Sequence, residues 1–202
     1  MSIDMAPGQW QVGGLSLLAL CLALAALSDA RQRRIPNALV LVALLTGLLW
    51  NAFGPQPFRQ NPGLFSLYPG ALGLGISLLG ALVALLLFLP FYALRVLGAG
   101  DVKLFAAVGA FAGPAASVNL ALCVLVAGGL LALARMAVAR NARLVMQNTL
   151  ASLGQMLPGL GGSFDARTQT AWRMPYAVAI FGGVAGYAAW TLSGRAPLIA
   201  FG

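Results

Sequence analysis

Six apolar runs, joined by polar or proline-rich connections, make up most of the chain. After a short polar lead over residues 1–11, the first run covers about 12–28 and stops at Asp29. At about 1.5 Å per residue, a helix of that length crosses most of a bilayer core of about 30 Å. Arg31, Arg33 and Arg34 follow in a tight connection. Pro36 suits the first turn of a second helix, where its missing N–H costs nothing, and that run covers about 35–53. Residues 54–69 hold Pro55, Pro57, Pro62 and Pro69 and read as an extended external loop. The third run spans about 71–94, with Gly73, Gly75 and Gly80 placed to let neighbouring helices approach. A short fourth run, 102–112, is stopped by Gly113-Pro114; a fifth covers about 116–139 and the last about 175–193. Between these, residues 140–173 are more polar. Leu144, Met146, Leu150, Leu153 and Leu157 recur there at roughly helical spacing, the pattern of a helix lying on the membrane surface.

Composition turns these runs into spans. Of 202 residues, 60% are hydrophobic and 8% charged, against about 25% charged in a soluble domain. Too few charges remain to cover a water-facing surface. The expected fold is therefore an all-α, polytopic integral membrane protein of about six transmembrane helices, a single domain over 1–202. The first run does not read as a removable signal peptide, because the later parts of the chain are equally apolar.

The net charge of +8 is spread over the ends of the apolar runs. That is the signature of membrane topology rather than of nucleic-acid binding, and no nucleic-acid partner is expected. With the Arg31–Arg34 connection in the cytoplasm and six crossings, Arg31, Arg33, Arg34, Arg95, Lys103, Arg135, Arg140, Arg143, Arg167 and Arg173 fall inside. Only Arg59 and Arg195 fall outside, and both termini are external. Without the short fourth crossing this bias collapses, so parity argues for it.

Histidine is absent, and Cys21 and Cys123 stand alone inside apolar runs. A zinc site of the thiolate or imidazole type and a histidine-dependent triad are thereby excluded, no phosphate-binding glycine motif is present, and no metal or cofactor is expected. The chain has four acidic residues, Asp4, Asp29, Asp101 and Asp165. Asp4 and Asp165 lie in polar surroundings and read as solvated charges. Asp29 and Asp101 stand at the cytoplasmic ends of the first and fourth runs, at one membrane depth, where a carboxylate is expensive and is usually kept for a pathway or for chemistry. Two carboxylates brought close cannot both ionise; one pKa rises and the pair shares a proton. The ionised member then takes a proton from water while the protonated one polarises a carbonyl. Gly98 and Gly100 would let an extended backbone pass Asp101. The plainer readings are a helix cap for Asp101 and a loop salt bridge for Asp29. Lys103 and Arg31 are mainly topology determinants that could also tune the pair, and Pro175-Tyr176 reads as an interfacial anchor with a kink.

Asp29 with Ile35-Pro36-Asn37 and intervening basic residues resembles the first motif of the type IV prepilin peptidases. Gly98-Ala99-Gly100-Asp101-Val102-Lys103-Leu104 is similar to their Gly-x-Gly-Asp motif, and Met174-Pro175-Tyr176-Ala177 to a softer third signature. Presenilin-like intramembrane proteases share Gly-x-Gly-Asp but pair it differently. The resemblance implies an aspartic endopeptidase of the bacterial inner membrane. Such an enzyme removes the basic leader of prepilins or pseudopilins at the cytoplasmic face. By motif match Asp29 and Asp101 are the catalytic residues, with Gly98, Gly100, Lys103, Pro36, Asn37, Pro175 and Tyr176 binding substrate or shaping the site. The implied partners are the prepilin helix and the bilayer. The cysteine-rich segment of the bifunctional members is lacking, so N-methylation is not expected, and the chain looks like the compact members associated with Flp pili. Two rival readings use the same aspartates: a transporter or proton relay, and a non-catalytic secretion-system subunit.

Overall fold

A computed structural model describes residues 6–55, 62–94, 96–138 and 175–200. The described residues form six helices: α1 (Pro7–Gln32), α2 (Asn37–Phe53), α3 (Gly73–Ala93), α4 (Ala99–Ala112), α5 (Pro114–Val138) and α6 (Tyr176–Leu192). The surface helix expected over 140–173 lies outside the described residues, as do Arg59, Arg95, Arg140, Arg143, Arg167 and Arg173.

Three of these helices, α1, α3 and α5, are long and apolar enough to cross a membrane, and α2 and α6 are shorter apolar helices. Leu41, Leu82, Val126 and Leu133 are each half exposed or more on the outside of the bundle. Hydrocarbon-facing leucines at that density fit a lipid environment, not water. The protein is an all-helical membrane protein.

Consecutive helices alternate in direction, so two ends can be told apart. One end is closed by polar and aromatic contacts. Trp10 stacks on Trp50 with ring centroids 6.4 Å apart, and Gln11 donates to the carbonyls of Leu64 and Ser66. At the same end the buried Asn51 amide donates to the carbonyls of Ala110 (2.9 Å) and Phe111 (3.2 Å) and accepts the Leu72 N–H (3.1 Å). Those carbonyls belong to the last turn of α4, where a helix has no internal partners for them. The opposite end gathers Asp29, Arg31, Arg33, Arg34, Lys103 and Arg135.

The fourth helix is the centre of the bundle. Its 14 residues reach only about 21 Å, short for a bilayer, yet all five other helices pack against it. Leu104, Phe105, Val108, Ala110 and Phe111 are all but inaccessible. A helix packed by five others over most of its surface meets mainly neighbouring helices, so its length need not match the hydrocarbon thickness. Its closest neighbour is α3. A Cβ on Gly80 would strike the Gly109 carbonyl oxygen, and one on Gly109 would lie 2.5 Å from the Ala84 side chain, so both positions need glycine for the two backbones to meet.

Three boundaries differ from expectation. Pro36 is the N-cap of α2, in extended conformation (φ −62°, ψ 130°), not a first-turn residue; its fixed φ suits the cap and its carbonyl accepts the Val40 N–H. Gly113-Pro114 does stop α4, but α5 begins at Pro114 and not at about 116. Gly113 takes φ 79° and Pro114 starts α5 at once, because glycine tolerates the left-handed turn and proline suits a first helical position. And α1 runs past Asp29 to Gln32, since solvated residues continue a helix as well as apolar ones.

Candidate active site

Helical register explains why Asp29 points inward. Leu18, Leu22 and Ala25 precede it at intervals of four, three and four residues and are all buried, so the stripe that buries them carries the carboxyl into the bundle too. Asp29 is 8% exposed. Its Oδ2 accepts the backbone N–H of Ala177 at 3.2 Å. That N–H belongs to the first turn of α6, where helix donors have no internal partner and the helix dipole favours a negative charge. Beyond Asp29, Arg33 closes α1 in the left-handed region (φ 53°) and its N–H donates to the Asp29 carbonyl at 2.9 Å. The Ser28 hydroxyl holds the Arg34 carbonyl at 2.9 Å, which fixes the connection into α2.

Asp101 stands in the first turn of α4, at the interfacial end of that helix. It does not occupy the N-cap position; Gly98 does. The Asp101 side chain reaches back instead, and Oδ2 accepts the Gly98 N–H at 3.1 Å, the reciprocal half of a capping box. Burial first, and then the charge of Asp29, push the Asp101 carboxyl up to about 6, against the opposing pull of the Gly98 N–H. The two carboxyls, carried by α1 and α4, are thus within electrostatic reach of each other.

A third helix completes the arrangement. Tyr176, next to the Ala177 N–H that holds Asp29, lies in the field of Asp101. Its ring rests on α5 at Gly128, where a Cβ would lie 2.8 Å from a ring carbon and 3.1 Å from the phenol oxygen. Phe88 meets it edge-on at 6.5 Å and stacks on Phe105 at 4.0 Å. Pro175 is the N-cap of α6.

The remaining candidates separate. Gly98 is open, its Cβ position facing only Asp101 Oδ2 at 3.1 Å. Gly100 is covered by Ile35, 3.3 Å from where its Cβ would be, so Ile35-Pro36 packs on the Gly-x-Gly-Asp turn and only one of the two glycines offers room to a passing backbone. Lys103 stands two residues beyond Asp101, about 200° around the helix. Its Nζ meets Asn37 Oδ1 at 3.5 Å on the α2–α3 flank of α4, away from Asp29 and Tyr176.

Sequence reasoning missed three contributors. The Ala177 donor is a backbone group and has no residue-type signal, although it lies inside the third motif. Gly128 is one glycine in an apolar run, and only the tyrosine resting on it gives it meaning. Ile35 reads as part of a motif, and nothing in its residue type marks it as the cover of Gly100. Two carboxyls within electrostatic reach, one buried and one partly buried, next to an open glycine can share a proton and activate water for attack on a carbonyl.

Residues 16–133 match the model of the type IV leader peptidase family, a stretch that holds both aspartates and ends before α6. No curated protein matches the chain, and no solved structure does.

Proposed function

Because the chain belongs to the type IV leader peptidase family, we propose that it is a membrane aspartic endopeptidase that removes the basic leader of type IV prepilins or pseudopilins. The observation that carries this reading is the electrostatic pairing of Asp29 and Asp101 at one end of the bundle. There Asp29 is bonded to the start of α6 and lies within electrostatic reach of Asp101.

The division of labour follows from their surroundings. On this reading Asp29, whose Oδ2 accepts the Ala177 N–H at the start of α6, serves as the base. Asp101, raised by burial and by its neighbour, keeps its proton and serves as the acid. Water attacks the scissile carbonyl carbon, giving a proton to Asp29, while Asp101 gives its own to the carbonyl oxygen. The resulting diol returns a hydroxyl proton to Asp101 as the C–N bond breaks. The amide nitrogen takes the proton held by Asp29 and leaves as the amine. Both carboxyls end as they began.

The active end is the cytoplasmic one on this reading, in the bacterial inner membrane, with six crossings and external termini. Arg31, Arg33, Arg34, Lys103 and Arg135 at that end, against Arg195 at the other, support it through the positive-inside rule. A prepilin is itself a membrane helix with a basic leader, and its cleavage site sits at this interface. The scissile bond must be extended to meet both carboxyls, so the substrate helix unwinds locally there.

The test is leader removal from a co-expressed prepilin by the parent and by Asp29→Asn and Asp101→Asn at equal membrane levels. Cleavage by the parent and by neither variant is expected. Cleavage surviving in either variant removes that residue from the mechanism. A parent that cleaves none of several prepilins but carries protons into liposomes is a relay instead.

A further inference from the structure

On the flank of α4 that faces away from the aspartates, α2 and α3 leave an apolar groove of about 600 Å³. Leu41 and Leu44 form one wall, Leu82 and Leu85 the other, and Ala106 lies on the floor. At the interfacial end the lining changes to Asn37 and Lys103. Lys103 is the only lysine among the 12 basic residues. Its ammonium meets a neutral oxygen, Asn37 Oδ1, at 3.5 Å, and among the described residues no carboxylate pairs with it. Asn37 is the first residue of α2, whose N-terminus has no side-chain cap. The ammonium and the uncapped N-terminus of α2 therefore lie at the same end of the groove, and both attract an anion. Arg33 and Arg34, both exposed, lie in the connection just before it.

We propose that this groove binds an anionic phospholipid of the adjacent leaflet. The phosphate lies between Lys103 and the start of α2, and one acyl chain fills the space between α2 and α3. The charge at the mouth selects the occupant, since a neutral or zwitterionic lipid leaves the ammonium without a net counter-charge. A substrate helix is the poorer fit, because α4 would stand between it and Asp29. The inference does not rest on the peptidase reading.

The experiment is native mass spectrometry of the full chain released from detergent, with phosphatidylglycerol or phosphatidylcholine added. One phosphatidylglycerol per chain should be retained in preference to phosphatidylcholine. Lys103→Gln should weaken retention about fivefold, the worth of one lysine at an anionic surface, and Lys103→Arg should keep it. Ala106→Trp, which fills the floor and leaves the charge, should also abolish the tightly held lipid. Equal retention in Lys103→Gln, or in Ala106→Trp, overturns the site. Displacement of the lipid by glycerol 3-phosphate alone shows an anion site without a chain-binding groove and overturns it too. So does photocrosslinking of a prepilin from a benzophenone side chain at position 106, which would make the groove a peptide site.

Discussion

Replacing Asp29 by asparagine tests the pairing of the two carboxyls more directly than loss of cleavage does. The amide has nearly the carboxylate's shape and still offers an oxygen to the Ala177 N–H, now 3.2 Å from Asp29 Oδ2. What disappears is the charge. Asp101 ionises at about 6 instead of 3.8, a cost to its charged form of about 3 kcal/mol at about 1.4 kcal/mol per pH unit. Burial accounts for the largest part and Asp29 for the next. Since burial is the larger of the two causes, removing the Asp29 charge is worth on the order of 1 kcal/mol. The Asp101 midpoint should therefore fall by about one pH unit in Asp29→Asn and stay above the ordinary carboxyl value, because burial remains. Infrared difference titration of the protonated carboxyl band in reconstituted protein reads this midpoint, with Asp101→Asn as the control that removes the band. An unchanged midpoint in Asp29→Asn would mean that the two groups do not feel each other. A parent midpoint near 4 would mean that the site is not desolvated. Either result refutes the shared-proton argument.

Three further outcomes follow from the same geometry. Asp101 binds its proton more tightly in the folded state than in the unfolded one, so between about pH 4 and 6 the folded protein holds more protons and stability falls as pH rises; the loss reaches at most about 3 kcal/mol above pH 6. Asp101→Asn should flatten that pH dependence of the thermal midpoint and raise the midpoint at neutral pH, and a slope that persists would place its source elsewhere. Gly128→Ala puts a methyl 2.8 Å from the Tyr176 ring, so the ring must move; cleavage should fall on the order of tenfold to a hundredfold at unchanged membrane levels, and wild-type rates would show that the ring's position does not matter. Gly80→Ala drives a methyl into the backbone of Gly109 and Gly113, which should cost about 1 to 3 kcal/mol as a lowered thermal midpoint, and an unchanged midpoint would show that α3 and α4 are not held at that spacing.

The run boundaries show which parts of the fold sequence patterning can reach. An apolar run marks where a helix is unavoidable but not where it ends. So α1 continues through Ala30 to Gln32, and α5 starts at Pro114 rather than after it. The role of α4 was harder to see. Its residues from Val102 to Ala112 carry only one charge, so no polar face distinguishes a helix that meets lipid from one enclosed by five neighbours. Its short length reads as a short crossing, and packing by five helices makes length a weak constraint there. Asn51 and Asn119 gave no warning either. Amides in apolar runs gain meaning only from the carbonyls and N–H groups that tertiary structure brings to them, as Ile199 does at both ends of the Asn119 amide.

The candidate site was legible where it rested on rarity. Two acids at one depth, in a chain with four, stand out because each must offset its own desolvation. What remained hidden is how they are held, and that bears on how the pair can work. Asp101 belongs to the most enclosed helix, pinned at its far end by Asn51 and fixed along its length by Gly80 and Gly109. Asp29 belongs to α1, which packs chiefly on α6 and has little contact with α4, and the Asp29–Ala177 bond ties those two helices together at the active end. Asp101 is therefore on the rigid side and Asp29 on a two-helix unit. Any change in their separation as a substrate enters is carried by α1 and α6 moving against α4, and Tyr176, anchored to Gly128 of α5, lies at the boundary between the two.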